Sequence, residues 1–107
     1  MKALIWLSFD LGVRGDFEGI YGFLDAHRAK ECGDSMGAFS YEYKKDLIGE
    51  LTKDLQKTVS LDKRSRVYVI YPSKPGRYTG KFIIGKRKSP PWAGFGASEG
   101  DEEDVGE

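Results

Sequence analysis

The chain is poor in the residues that most often announce a chemistry. Its 107 residues include one cysteine, Cys32, and one histidine, His27. A single thiol excludes an intrachain disulfide and fits a reducing, cytoplasmic setting. A single histidine excludes a zinc site built on histidine ligands. His27 closes a helical pattern, where it reads as a surface residue suited to the helix dipole rather than a general base. Cys32 has no second cysteine and no histidine at a recognised spacing, so it reads as a small semi-buried residue rather than a catalytic thiol. Long hydrophobic runs are also missing. The apolar stretch at 3–9 is far too short to span a bilayer and has no secretory pattern around it, so no membrane partner is expected. The glycines form neither a GxGxxG nor a P-loop, and in "GRYTGKF" no Ser or Thr follows the lysine. No nucleotide cofactor is expected, and no repeat with a period of tens of residues is present.

Charge is present in quantity, and its balance conceals an asymmetry. The chain holds 17 basic and 17 acidic residues. Six of the acids lie in "SEGDEEDVGE" at 98–107, which has no base, so 1–97 carries 17 basic residues against 11 acidic ones. A basic body with an acidic tail suits a polyanion-facing protein, and a solvated, soluble surface accounts for it equally well. The cations gather in two places. "DKRSR" supplies Lys63, Arg64 and Arg66; "GKRKSPPW" supplies Lys86, Arg87 and Lys88, close to Trp92 and Phe95. Basic groups beside aromatics suit phosphate contacts and base stacking. The plainer alternative is a solvated loop and an exit segment whose Trp92 packs on a partner subunit.

The apolar pattern predicts the order β-α-β-α-β-β. Residues 3–9 suit a strand that ends on Asp10. Phe17, Ile20, Tyr21 and Leu24 make one helical face after Asp16, with Gly33 as a stop. "SMGAFSYEY" alternates at period two, and a short extra strand fits around 30–32. Leu47, Ile48, Leu51 and Leu55 stripe a second helix from about Lys45 to Thr58. "VYVIY" at 67–71 and "KFIIG" at 81–85 read as a hairpin across a Pro- and Gly-rich turn region at 72–80. Two β-α-β crossovers place both helices on one face of a single sheet. The expected fold is an α+β, ferredoxin-like two-layer sandwich with a mixed, largely antiparallel sheet. One domain spans 1–92, and 93–107 is expected to be a flexible acidic tail. Ile5, Leu7 and Phe9 then face the helices, while Leu4, Trp6, Ser8 and Asp10 face away; a one-residue slip of register exchanges the two faces. Burying side chains such as Leu4 and Trp6 is worth ~1.5–3 kcal/mol each, which points to a homodimer that covers them.

"SFDL" closing a first strand, then a helix, a glycine near 33, a serine- and aromatic-bearing strand, a second helix, "VYVIY" and "FIIG" resemble the Cas2 family of CRISPR adaptation proteins and the related VapD toxins over about residues 2–86. The resemblance implies a homodimer that acts on DNA or RNA. It also implies that Asp10 from two copies meets near the dimer axis to bind Mg²⁺ for phosphodiester cleavage as an endonuclease. Other members of the family bind DNA as scaffolds without needing that acid. Read from the residues alone, Asp10 is equally a turn or cap residue at a strand end. Three readings therefore stand. The first is a Cas2-like nucleic-acid-binding homodimer, with or without cleavage. The second is a non-enzymatic interaction module. The third is an RNA-recognition-type binder, although "TGKFIIG" lacks that module's basic–Gly–aromatic–Gly–aromatic run. On the first reading, the acidic tail at 98–107 competes with nucleic acid for the cationic surface.

Overall fold

The computed structural model describes residues 1–96; the acidic stretch at 98–107, with its expected role, lies outside the described residues. The elements are β1 (Lys2–Asp10), α1 (Phe17–Ala26), β2 (Lys30–Glu31), β3 (Met36–Glu42), α2 (Leu47–Thr58), β4 (Arg66–Lys74) and β5 (Arg77–Ile84). The five strands form one sheet in the order β2-β3-β1-β4-β5, with every neighbouring pair antiparallel. The protein is thus an α+β fold of two helices and a five-stranded antiparallel sheet. None of its described helices is long and apolar enough to cross a membrane.

Period-two alternation builds the inner face. Ala3, Ile5, Leu7 and Phe9 of β1 are buried, as are Phe39 and Tyr41 of β3 and Val67 and Val69 of β4. Ile20 and Phe23 of α1 and Leu47, Leu51 and Leu55 of α2 join them in one core. Each large side chain enclosed there contributes roughly 1.5–3 kcal/mol. The alternate residues of β1, from Leu4 to Asp10, face away from the helices, as their pattern predicts.

Four details differ from the expected pattern. First, α1 buries Ile20 and Phe23 and leaves Phe17 and Tyr21 exposed. Both sets are legitimate helical stripes, and only the position of the sheet selects between them. Second, α1 stops at Ala26 rather than near Gly33. Ala29 N–H donates to Leu24 O and Arg28 N–H to Asp25 O, closing a Schellman motif whose left-handed position (φ 56°) is Arg28. Third, the extra strand at 30–32 exists as β2. The chain reverses after it, with Cys32 N–H donating to Met36 O, so β3 runs antiparallel to β1. Fourth, the 72–80 region is mostly strand: Pro75 and Gly76 (φ 75°) alone make the hairpin turn, the type II pairing of proline then glycine.

Pro72 leaves a mark within β4. The β1–β4 ladder ends at Trp6–Ile70, although β4 continues to Lys74. In that register Pro72 would stand opposite Leu4, on the side where its ring nitrogen has no hydrogen to donate. The far half of the hairpin therefore pairs within itself, with register shifts near Pro72.

Candidate nucleic-acid interface

The site grows from the open end of the β4–β5 hairpin. The β1–β4 register sets Asp10, the last residue of β1, opposite Arg66, the first of β4. Arg66 Nη2 donates to Asp10 Oδ2 at 2.7 Å. The Asp10 side chain is 53% exposed and that of Arg66 24%. This hydrogen bond, above all, holds the Asp10 carboxyl below the usual carboxylate range; partial burial opposes it, and the charge of Lys88 adds to the lowering.

The loop before Arg66 is a built turn. Asp62 Oδ1 accepts from Arg64 N–H at 2.8 Å and from Ser65 N–H at 3.1 Å, while Ser65 Oγ accepts from Asp62 N–H at 2.9 Å. An Asx-turn of this kind is what Asp followed by Ser offers a backbone. It buries Ser65 and leaves Lys63 and Arg64 exposed. The sequence shows these residues as a polar loop; the closing role of Asp62 is found only in the structure.

After β5 the chain must turn sharply to pass this loop. Gly85 has a φ of 72°, and a Cβ there would lie 2.6 Å from Ser65 O. Only glycine meets both conditions. The turn carries Lys86, Arg87 and Lys88 back beside the start of β4. The two cationic clusters, some twenty residues apart in sequence, thus meet at one end of the sheet. A cavity of about 610 Å³ is lined by Lys63, Arg64, Arg66, Lys86 and Lys88 with Asp10, Gly12 and Gly85. A second, of about 320 Å³, is lined by Arg66, Arg87, Tyr68 and Phe82 with Ser8, Phe9 and Asp10. A third, of about 460 Å³, adds Arg14, a cation absent from the sequence-predicted set, beside Arg64.

Aromatic rings adjoin the cations on the outer sheet face. Tyr68 and Phe82 meet edge to face with centroids 4.8 Å apart, and Trp6 and Tyr78 do so at 5.6 Å. The Arg87 guanidinium carbon stands 5.6 Å from the Tyr68 centroid and 5.4 Å from that of Phe82; Arg66 stands 5.6 Å from Phe82. These are cation–π distances. Trp6 belongs to the sequence-predicted set; Tyr68, Tyr78 and Phe82 do not. Continuing the alternation of "VYVIYP" and "RYTGKF" outward from the core positions would have found them.

Of the expected dimer-contact residues, Leu4 is 41% exposed, and Trp6 is half-buried against Tyr78 of its own chain. Trp92 is exposed in the turn that follows the domain, away from any core. His27 is not a simple surface residue: its ring lies against Phe23, Phe39 and Tyr41, with Nδ1 2.8 Å from Phe23 O.

A Mg²⁺ ion at Asp10 would depend on the donors gathered around that carboxylate. Among the described residues no three His, Cys, Asp or Glu side chains gather to hold a metal. The charged neighbours of Asp10 are Arg66 and Lys88. A hard divalent ion wants several oxygen donors, and one carboxylate already bound to a guanidinium does not provide them. The described residues of a single chain do not fit the ion.

Comparison with protein-family models, with curated proteins and with solved structures gave no match. The functional reading therefore rests on the geometry of this site.

Proposed function

We propose that the protein binds nucleic acid, taking the phosphate backbone at the cationic end of the sheet. The particular form closest to the residues is a Cas2-like chain used for binding rather than cleavage. In support of a ferredoxin-like plan, β2-β3-β1-β4 alternate in direction beneath two helices, and β5 is an addition at the edge. The observation that carries the functional reading is the convergence of Lys63, Arg64, Arg66, Lys86, Arg87 and Lys88 beside two acids, Asp10, which is paired with Arg66, and Asp62, which is engaged by the backbone of its own turn. A cluster with so little internal neutralisation attracts a polyanion and releases its counterions on binding. The cleavage that the Cas2 resemblance implies needs several oxygen donors, and the described residues of one chain gather no such set.

Fluorescence anisotropy with labelled oligonucleotides, across roughly 50–200 mM salt, tests the reading. Wild type is expected to bind with an affinity that falls steeply as salt rises. The double variant Lys63→Glu, Arg64→Glu is expected to bind about tenfold weaker or worse at low salt, with a shallower salt slope. Both substitutions fall on exposed turn residues whose backbone is fixed by Asp62. Binding that ignores both salt and charge reversal would overturn the proposal.

A further inference from the structure

The outer face of the sheet has a composition that the cationic end alone does not explain. Its rows are set by the register. Trp6 lies beside Ile70, which lies opposite Gly80; one row on, Ser8 lies beside Tyr68, which lies opposite Phe82; one row further, Asp10 meets Arg66. Tyr78 flanks the first of these rows, in contact with Trp6. An aromatic surface thus runs along the strands and ends at the cations, with rows spaced by roughly 6.7 Å.

Gly80 shapes this surface. A Cβ at Gly80 would lie 2.2 Å from Tyr68 Oη and 2.7 Å from Tyr68 Cζ. The missing side chain is therefore what lets the Tyr68 ring extend across β5. Both aromatic pairs are edge to face, so neither pair lays its rings flat on one another, and on Tyr68 and Phe82 arginine guanidiniums stand against the rings. Tyr78 is 50% exposed. Arg87, on the exposed segment after Gly85, stands against the rings of Tyr68 and Phe82.

We infer that this face is a stacking platform for single-stranded nucleic acid, with unpaired bases on Tyr68, Phe82, Trp6 and Tyr78 and the backbone running into the cationic end. The inference rests on the proposed nucleic-acid reading, narrows its substrate, and takes the face of Leu4 and Trp6 as open to nucleic acid rather than covered by a second copy. Phosphate contacts serve a duplex and a single strand alike. Ring faces serve only bases that have left their own stack, and a duplex keeps its bases inside. Charge complementarity names the occupant: a partner with flat apolar faces and regularly spaced negative charge suits a row of aromatics that ends in six cations. A base arriving at Tyr68 takes the place of the Arg87 guanidinium on the ring, and the freed guanidinium pairs with the adjoining phosphate.

The test uses the full chain and three labelled probes of about a dozen nucleotides: an oligo-dT strand, an abasic strand of the same length and a duplex of the same length. Oligo-dT is expected to bind about tenfold or more tighter than the abasic strand, which has the phosphates without the bases. Tyr78→Ala, at a half-exposed ring, is expected to weaken oligo-dT by about tenfold and to leave the abasic strand and duplex unchanged. A second measurement leaves the platform intact. In Trp92→Phe the only tryptophan is Trp6, and its fluorescence is expected to fall on adding oligo-dT but not the abasic strand. Equal affinity for dT and abasic strands with unmoved Trp6 fluorescence overturns the stacking platform and leaves the phosphate-binding reading standing. A duplex that binds tighter than dT does the same. Failure of all three probes to bind overturns both. A free protein that sediments as a dimer with Trp6 unresponsive to dT gives the face to a second copy and overturns the platform.

Discussion

Arg66 has an anion already, and any phosphate must compete for it. Asp10 Oδ2 occupies one end of its guanidinium at 2.7 Å. Asp10→Asn removes that competitor and one negative charge from the cationic end. We expect nucleic-acid affinity to rise several-fold at low salt, with the salt slope steeper by about 0.7–0.9, the share of one added phosphate contact. Stability should change by less than about 1 kcal/mol, since the pair lies at the surface and the Asp10 carboxylate is half exposed. A metal-dependent nuclease would behave differently, because Asp10→Asn would abolish Mg²⁺-dependent cutting of labelled strands; a matched cleavage assay with and without chelator separates the two. At the same scale, Arg28 holds a left-handed backbone that favours glycine. Arg28→Gly is expected to stabilise the protein by about 0.5–1 kcal/mol in urea unfolding, the relief of strain exceeding the entropy that glycine costs. Neither feature can be read from the sequence. The acid at the end of β1 is visible there, but its partner lies 56 residues away. The left-handed residue carries no local sign, because an arginine stands where a glycine is usual.

The second helix is held at its start by side chains reaching back to the backbone. Asp46 caps its first turn, accepting from Gly49 N–H at 3.0 Å. Glu50 accepts from the backbone N–H groups of Lys44, Lys45 and Asp46. Those three donors, with Asp46 the strongest, lower the Glu50 carboxyl from 4.5 to about 2. A carboxyl with a depressed folded pKa contributes stability that is present above its unfolded pKa and lost as pH falls through the folded one. The contribution from Glu50 should therefore be complete above pH 4.5 and disappear as pH approaches 2. Glu50→Gln should flatten that part of the acid-unfolding profile, measured by circular dichroism. Tyr41 ties the helix to β3 through a hydrogen bond from its hydroxyl to Asp54; burial first, and then this bond, raise the phenol pKa above its ordinary value. Tyr41→Phe should cost about 1 kcal/mol. Elements with one uninterrupted period, β1 and α2, were legible in the sequence nearly residue by residue. The first helix was legible as a helix but not in its orientation, because Phe17, Ile20, Tyr21, Phe23 and Leu24 offer two overlapping stripes. The hairpin was legible but drawn short, since Pro72, Pro75 and Gly80 read as loop until a register accommodates them.

Across the whole molecule, the cationic end of the sheet is assembled from distant parts of the chain. "DKRSR" and "GKRKSPPW" stand apart in the sequence, and no local signal joins them; the return of β5 along β4 and the turn at Gly85 do so. Gly85→Ala should therefore act on both properties. The added Cβ, at a positive φ and 2.6 Å from Ser65 O, is expected to destabilise the fold by about 1–2 kcal/mol. It should also move Lys86 to Lys88 away from Asp10, weakening oligonucleotide binding at temperatures where the variant remains folded by circular dichroism.

The interruption at Pro72 has a consequence for the lifetime of the sheet. Beyond Trp6–Ile70 the ladder between β1 and β4 is missing, so Leu4 lacks the β4 bond that protects Trp6, Ser8 and Asp10 from solvent deuterium. Within this one central strand, isotope exchange should be fast at the amide of Leu4 and slow from Trp6 onward. The boundary between them would mark a seam where the sheet opens from its hairpin tip while the cationic end stays closed.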